Sequence, residues 1–154
     1  MNIQSKLPMS DYEFQKINIR NKTFALETML REMPQAELKL IHHFSPGVYA
    51  RELHIPADCT LTGEIHKYPQ LNILSKGKIS VLLEDGIKEI EAPFAVVSPA
   101  GTKRIAYAHT DCVWTTILHT NETDIKLIEK HFLAKTEEEW LEFNKSNQLE
   151  FENV

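Results

Sequence analysis

The sequence predicts a mainly β fold, one barrel built from short strands with helices before and after it, and three observations predict it. Between Leu40 and His119, β-branched and aromatic residues gather in about nine short runs over about eighty residues. Turn residues punctuate those runs at close, regular intervals. On either side of the stretch the apolar spacing changes from strand-like to helical.

Taken in order, residues 1–39 form an N-terminal helical segment. Phe14, Ile17, Phe24, Leu26, Met29 and Leu30 fall partly at helical spacing, Asn21 is a weak point, and Pro34 ends the run, so one or two short helices are expected. Residues 40–120 carry the strands KLIHHF, VYARELHI, CTLTGEI, QLNILSKG, KISVLLE, IKEIEA, FAVVS, TKRIAYA and CVWTTILH. Pro46-Gly47, Pro56-Ala57-Asp58, Tyr68-Pro69, Pro93 and Pro99-Ala100-Gly101 separate them, and Asp85-Gly86 is the sharpest hairpin signal. Residues 121–154 return to helix. Ile125, Leu127, Ile128, Phe132 and Leu133 mark one amphipathic helix, and Thr136 with Glu139 forms a capping box before a second at Trp140, Leu141 and Phe143. The tail from Asn144 has little to pack on and is expected to fray.

The chain has 154 residues, near the usual size of one domain, with 42% apolar and 25% charged residues. A net charge of −5 removes the footprint of a general nucleic-acid binder. No apolar run approaches the roughly 20 residues of a membrane span, and the first sixteen residues lack a signal-peptide core, so a cytoplasmic location is expected. Cys59 and Cys112 have no CxxC spacing and are expected to be free thiols.

The string Glu64-Ile65-His66, then Gln70, then Gly77, and the later string Pro99-Ala100-Gly101-Thr102-Lys103-Arg104 together resemble the two motifs of the cupin superfamily. In that family the first motif carries an HxH pair, a glutamate and a glycine at these separations, and the second is PxGxxH. The resemblance covers roughly residues 45–120 and implies a single jelly-roll β-barrel. The stretches PQAELKLIHHFSPGVYARELHIP, LTGEIHKYPQLNILSKGKISVLLEDG and SPAGTKRIAYAHTDCVWTTILHT further resemble small cupin-like proteins encoded by tailed bacteriophages, which implies a host-cell setting but no activity.

The ligand types differ from the family's. Glutamine is a poor neutral ligand, and Arg104, standing where the fourth metal ligand would, keeps its proton and repels a divalent cation. The expectation is a site without a metal cofactor. The alternative is a divalent transition metal held by Glu64, His66 and His109. Glu64 and His66 lie two apart on a strand and share a face, where Arg104 can pair with Glu64 in a metal-free network. Tyr49 with Arg51, and Trp114 with Thr116, share faces in the same way; Tyr68, Tyr107 and His119 are further candidates, half of which alternation turns outward.

The residues expected to bind ligand are therefore Glu64, His66, Gln70, Arg104, Tyr49, Arg51, Trp114 and Thr116. Aromatics beside two arginines suit an anionic ring-bearing small molecule, such as a nucleotide or an aromatic acid. His109 turns outward if strict alternation holds, and His42 and His43 face opposite ways, as structural or interface residues. The leading reading is a small-molecule-binding homodimer that sequesters a host signal. Its competitors are a cupin enzyme, either a metal-dependent oxygenase or hydrolase or a metal-free isomerase or lyase using Glu64 and His66, and a structural or virion-associated module.

Overall fold

The structure, a computed structural model, describes residues 11–83 and 86–152. The first described element is helix α1 (Asp11–Arg31), continuous through Asn21. One long helix thus replaces the one or two short ones expected. Gln35 closes its end, donating from Nε2 to the carbonyls of Leu30 and Met33 at 2.8 Å each, so the chain leaves the helix with those acceptors satisfied.

Ten strands follow: β1 (Lys39–Ser45), β2 (Val48–Ile55), β3 (Cys59–Thr62), β4 (Ile65–His66), β5 (Gln70–Lys76), β6 (Lys78–Leu83), β7 (Gly86–Glu91), β8 (Phe94–Ser98), β9 (Ile105–Ala108) and β10 (Cys112–His119). Helix α2 (Ile125–Phe132), the two-residue strand β11 (Leu133–Ala134) and helix α3 (Glu137–Glu152) complete the described chain. The expected run CTLTGEI divides at Gly63-Glu64 into β3 and β4, and the run TKRIAYA becomes strand only from Ile105. β6 and β7 pair antiparallel with Leu83 opposite Gly86, as a hairpin requires, while Asp85 lies outside the described residues.

The strands form a five-stranded antiparallel sheet ordered β1-β2-β10-β5-β8, a four-stranded one ordered β3-β9-β6-β7, and the short pair β11-β4. The architecture is mainly β, as the sequence predicts, with the strands in two sheets and a small patch. Their facing sides share a core of Ile55, Leu74, Ile79, Val81, Ala108 and Cys112, to which both sheets contribute. Each large aliphatic side chain buried there is worth about 1.5–3 kcal/mol. Cys59 and Cys112 are free thiols, and burial raises both of their pKa values.

Two corrections concern the ends. Helix α3 continues to Glu152, so through that residue the tail expected to fray is helical. The Thr136 hydroxyl accepts from the backbone N–H of Glu139 at 3.1 Å, whereas the Glu139 carboxylate reaches back to Lys135 N at 2.9 Å, one residue earlier than in a standard capping box. Helix α2 is capped by Asp124, which accepts from Lys126 N and Leu127 N.

Helix α1 holds the second motif in place. Arg20, 4% exposed, makes a bidentate ion pair with Glu137 of α3 at 2.8 and 2.7 Å and donates to the carbonyl of Gly101 at 3.2 Å. Lys103, 3% exposed, bonds Glu27 of α1 at 3.0 Å and the carbonyl of Gly63 at 2.7 Å, with its ammonium 4.3 Å from the Phe24 ring centroid. Gly101 sits at φ +83°, and a Cβ there would come within 2.7 Å of the Trp140 ring, so only glycine lets α3 approach so closely.

Candidate functional site

The first motif is held from two sides. Gly63 N donates to the Arg104 carbonyl, His66 N to Thr102, and Gly101 N to His66, while β4 pairs on its other edge with β11. The two motifs, far apart in sequence, are thus zipped together by main-chain bonds. Alternation sends Ile65 into a fully buried cluster with Ala134 and Trp140 and turns Glu64 and His66 the opposite way.

Glu64, His66, Gln70, Arg104, Tyr49, Arg51, Trp114 and Thr116 all line one cavity of about 340 Å³ between the two sheets. The other candidates lie elsewhere. His109 bonds Ser80 Oγ at 2.7 Å and stands 3.5 Å from Glu89, away from the cavity, as strict alternation requires. The alternative metal set of Glu64, His66 and His109 is therefore not brought together. Tyr107 is turned outward to Asp58 at 2.9 Å, Tyr68 packs among His131, Phe132 and Phe143, and His119 is exposed. His42 and His43 do face opposite ways, the first to the Tyr49 hydroxyl at 2.7 Å and the second to Glu52 at 2.6 Å.

A polar row crosses the five-stranded sheet inside this cavity. Arg51 stands opposite Thr116, and Thr116 opposite Asn72. Thr116 donates to Asn72 Oδ1 at 2.8 Å, Asn72 donates to Ser98 Oγ at 2.7 Å, and Arg104 donates to the same Ser98 oxygen. The Arg104 guanidinium also lies 5.8 Å from the Trp114 ring centroid. Asn72 and Ser98 escaped the sequence reading, although Asn72 follows Gln70 by two on one strand and so had to share its face. Glu129, which α2 brings to the cavity rim, carried no sequence signal.

His66 is neutral at physiological pH. Burial lowers its pKa to about 4, Arg104 and Arg51 add to the fall, and Gln70 pulls weakly the other way. Gln70, 4% exposed, stands close to the imidazole, yet the pair does not reach hydrogen-bond geometry, and His66 Nδ1 and Gln70 Oε1 are both buried without a partner. The Arg51 guanidinium lines the cavity with no hydrogen bond or ion pair to any described residue. Burial raises the Tyr49 phenol, Arg51 opposes the rise and Glu129 adds to it.

A divalent transition metal does not fit this donor set. One imidazole and one carboxylate remain, an amide and a guanidinium occupy the other two motif positions, and among the described residues no three His, Cys, Asp or Glu side chains converge.

Fold and site together define a mainly β protein with a cavity between two antiparallel sheets, crossed by a polar row. No family model and no curated protein matches the chain. Among solved structures it is similar to the cupin domain of an XRE-family transcriptional regulator from Enterobacter cloacae, with 5% identity and a TM-score of 0.47 over 56% of this chain and 100% of that one. A cupin superfamily protein from Desulfitobacterium hafniense shows 10% identity and a TM-score of 0.47 over 79% of this chain and 97% of that one. A putative ethanolamine utilization protein Q from Salmonella typhimurium shows 11% identity and a TM-score of 0.47 over 56% and 72% respectively. These are similarities of fold, and none of them points to a phage origin. No helix among the described residues is long and apolar enough to cross a membrane.

Proposed function

We propose that the cavity binds a small organic anion without a resident metal. The observation that carries this reading is the Arg51 guanidinium, which lines a preformed cavity with no hydrogen bond or ion pair to any described residue. A guanidinium placed there favours a carboxylate or another oxyanion as its partner. Arg51 and Arg104 line the cavity together with Glu64 and Glu129, and it is the Arg51 side that favours an anion.

Binding is favoured over acid/base turnover for a specific reason. An imidazole with a pKa of about 4 is a weak base at neutral pH, far from the match that general-base catalysis uses. Capture of a host signal by a phage-encoded protein is a setting that the resemblance of three sequence stretches supports. Pairing of two chains belongs to the same reading, supported by Met29 in the last turn of α1 and Met33 just beyond it, 66% and 57% exposed.

The test is mass spectrometry of small molecules released when the protein, purified without chelator, is denatured, with elemental analysis alongside. An organic anion in stoichiometric amount and well under one transition metal per chain are expected. A near-stoichiometric transition metal overturns the metal-free reading. No released molecule, together with no thermal stabilisation by any of a panel of small organic anions, overturns the binding reading.

A further inference from the structure

Resting on that reading, the charges in the cavity wall narrow the ligand class. Arg51 shares the cavity with two carboxylates, Glu64 and Glu129, and neither of them makes a hydrogen bond or ion pair to any described residue. Opposite charges in one cavity attract, yet neither carboxylate closes on Arg51. The wall thus offers a cation and anions that the protein itself leaves unpaired.

Tyr49 locates Arg51 and Glu129 relative to one another. Arg51 lies two residues beyond Tyr49 on β2 and shares its face, about 7 Å along the strand. Glu129 comes from α2, where Ile128 and Phe132 pack against Tyr49. The two charges therefore flank one phenol, and both act on it: Arg51 favours its ionised form and Glu129 disfavours it. Glu64 adds a second negative charge from the residue before β4.

From these features we propose that the cavity takes a zwitterion, an amino acid with an apolar side chain, whose carboxylate lies on Arg51 and whose ammonium lies on Glu129. The anionic group of the broader reading is then half of a paired headgroup. A plain carboxylate satisfies Arg51 but brings a third negative charge towards Glu64 and Glu129, and an ammonium beside it relieves that repulsion. The walls flanking the Arg51 row are apolar on both sides, with Leu53 and Ile55 on one and Leu118 and Ile128 on the other, so the rest of the molecule carries no charge. The volume of about 340 Å³ is near the lower limit of roughly 300–1,000 Å³ for small-molecule sites, which fits one amino acid rather than a peptide.

Titration calorimetry and thermal shift test the proposal on protein refolded free of any carried-over molecule. The probes are leucine and phenylalanine, the acids that lack their amine (4-methylpentanoate and 3-phenylpropanoate), and the amines that lack their carboxylate (3-methylbutylamine and 2-phenylethylamine). At least one of the two amino acids should bind, at least about tenfold more tightly than both of its own analogues, because each analogue forfeits a charge-assisted contact. In Glu129→Gln the amino acid should lose its advantage over the acid, and in Arg51→Gln its advantage over the amine. Neither side chain has a partner among the described residues, so the substitutions remove no hydrogen bond of the fold, and the melting temperature without probe checks this.

An acid that binds as tightly as its amino acid overturns the proposal and leaves the anion reading in place, and so does an advantage over the acid that survives in Glu129→Gln. An amine that binds as tightly as its amino acid overturns both. If no probe binds, the molecule released by the denatured protein decides. One that bears both a carboxylate and a basic nitrogen supports the proposal, and an anion without a basic nitrogen overturns it while the broader reading stands. No released molecule, with no stabilisation by the panel of organic anions, overturns both.

Discussion

The titration of His66 gives a quantitative check on the site. With a folded pKa of about 4 and an unfolded value near 6.5, the unfolded chain binds more protons throughout the interval between them. Stability therefore rises with pH in that window and is lost as pH falls through it. Relative to pH 7.5, the loss at pH 5 from this one group amounts to about 2 kcal/mol, and it approaches roughly 3 kcal/mol below pH 4. Urea denaturation of wild type and His66→Gln at both pH values isolates it, because other titrating groups, Glu52 with its two histidine partners among them, contribute to both proteins. The wild type should lose about 2 kcal/mol more than the variant between pH 7.5 and 5. The His66 Cε1 proton resonance, assigned by its absence from the variant, should titrate near 4. A resonance titrating near 6.5, or equal losses in the two proteins, would refute the buried, positively surrounded placement of this imidazole.

Three further outcomes are expected. Gly77→Ala should destabilise the fold by more than about 3 kcal/mol, because at φ +90° its Cβ would lie 2.3 Å from the Asp111 carbonyl, whereas Gly86→Ala, with open space around it at φ +116°, should cost only about 1–2 kcal/mol of backbone strain; urea midpoints compare them. Arg20→Met should cost about 3–5 kcal/mol by stranding the Glu137 carboxylate, and Arg20→Met with Glu137→Leu should recover most of that, again by denaturation. Light scattering should give twice the chain mass at micromolar concentration; a monomer across that range contradicts the proposed pairing.

Much of the fold was legible because period-two alternation and turn residues are local signals. Nine runs correspond to the strands from Lys39 to His119, and Glu64 with His66 share a face for the reason given by spacing alone. What was not legible depends on distant partners. Strand β11 exists because Leu133 and Ala134 find the edge of β4, and a two-residue strand leaves no periodicity to read. Asn21 did not break α1, since Arg20 and Thr23 on either side of it are buried and fix the helix on its neighbours. Ser98 is a bonding partner of Arg104 only because β8 lies beside β5, with Ser98 opposite Gln70.

The changed motif residues also explain why a helix unlike anything in the strand region is joined to it. The Arg104 side chain has many rotamers to lose. Its position is set instead by its neighbours. Lys103 is tied to Glu27 and to the Gly63 carbonyl, Gly101 to Arg20, and the backbone of Arg104 to Gly63, so α1 and α3 clamp the loop from outside while Ser98 and Trp114 hold the guanidinium inside. A cation fixed in this way before a ligand arrives loses little further entropy on binding, which is the condition under which a single charged contact yields useful affinity. On this argument Arg20 and Glu27, which do not line the cavity, hold the loop that carries Arg104 at its wall.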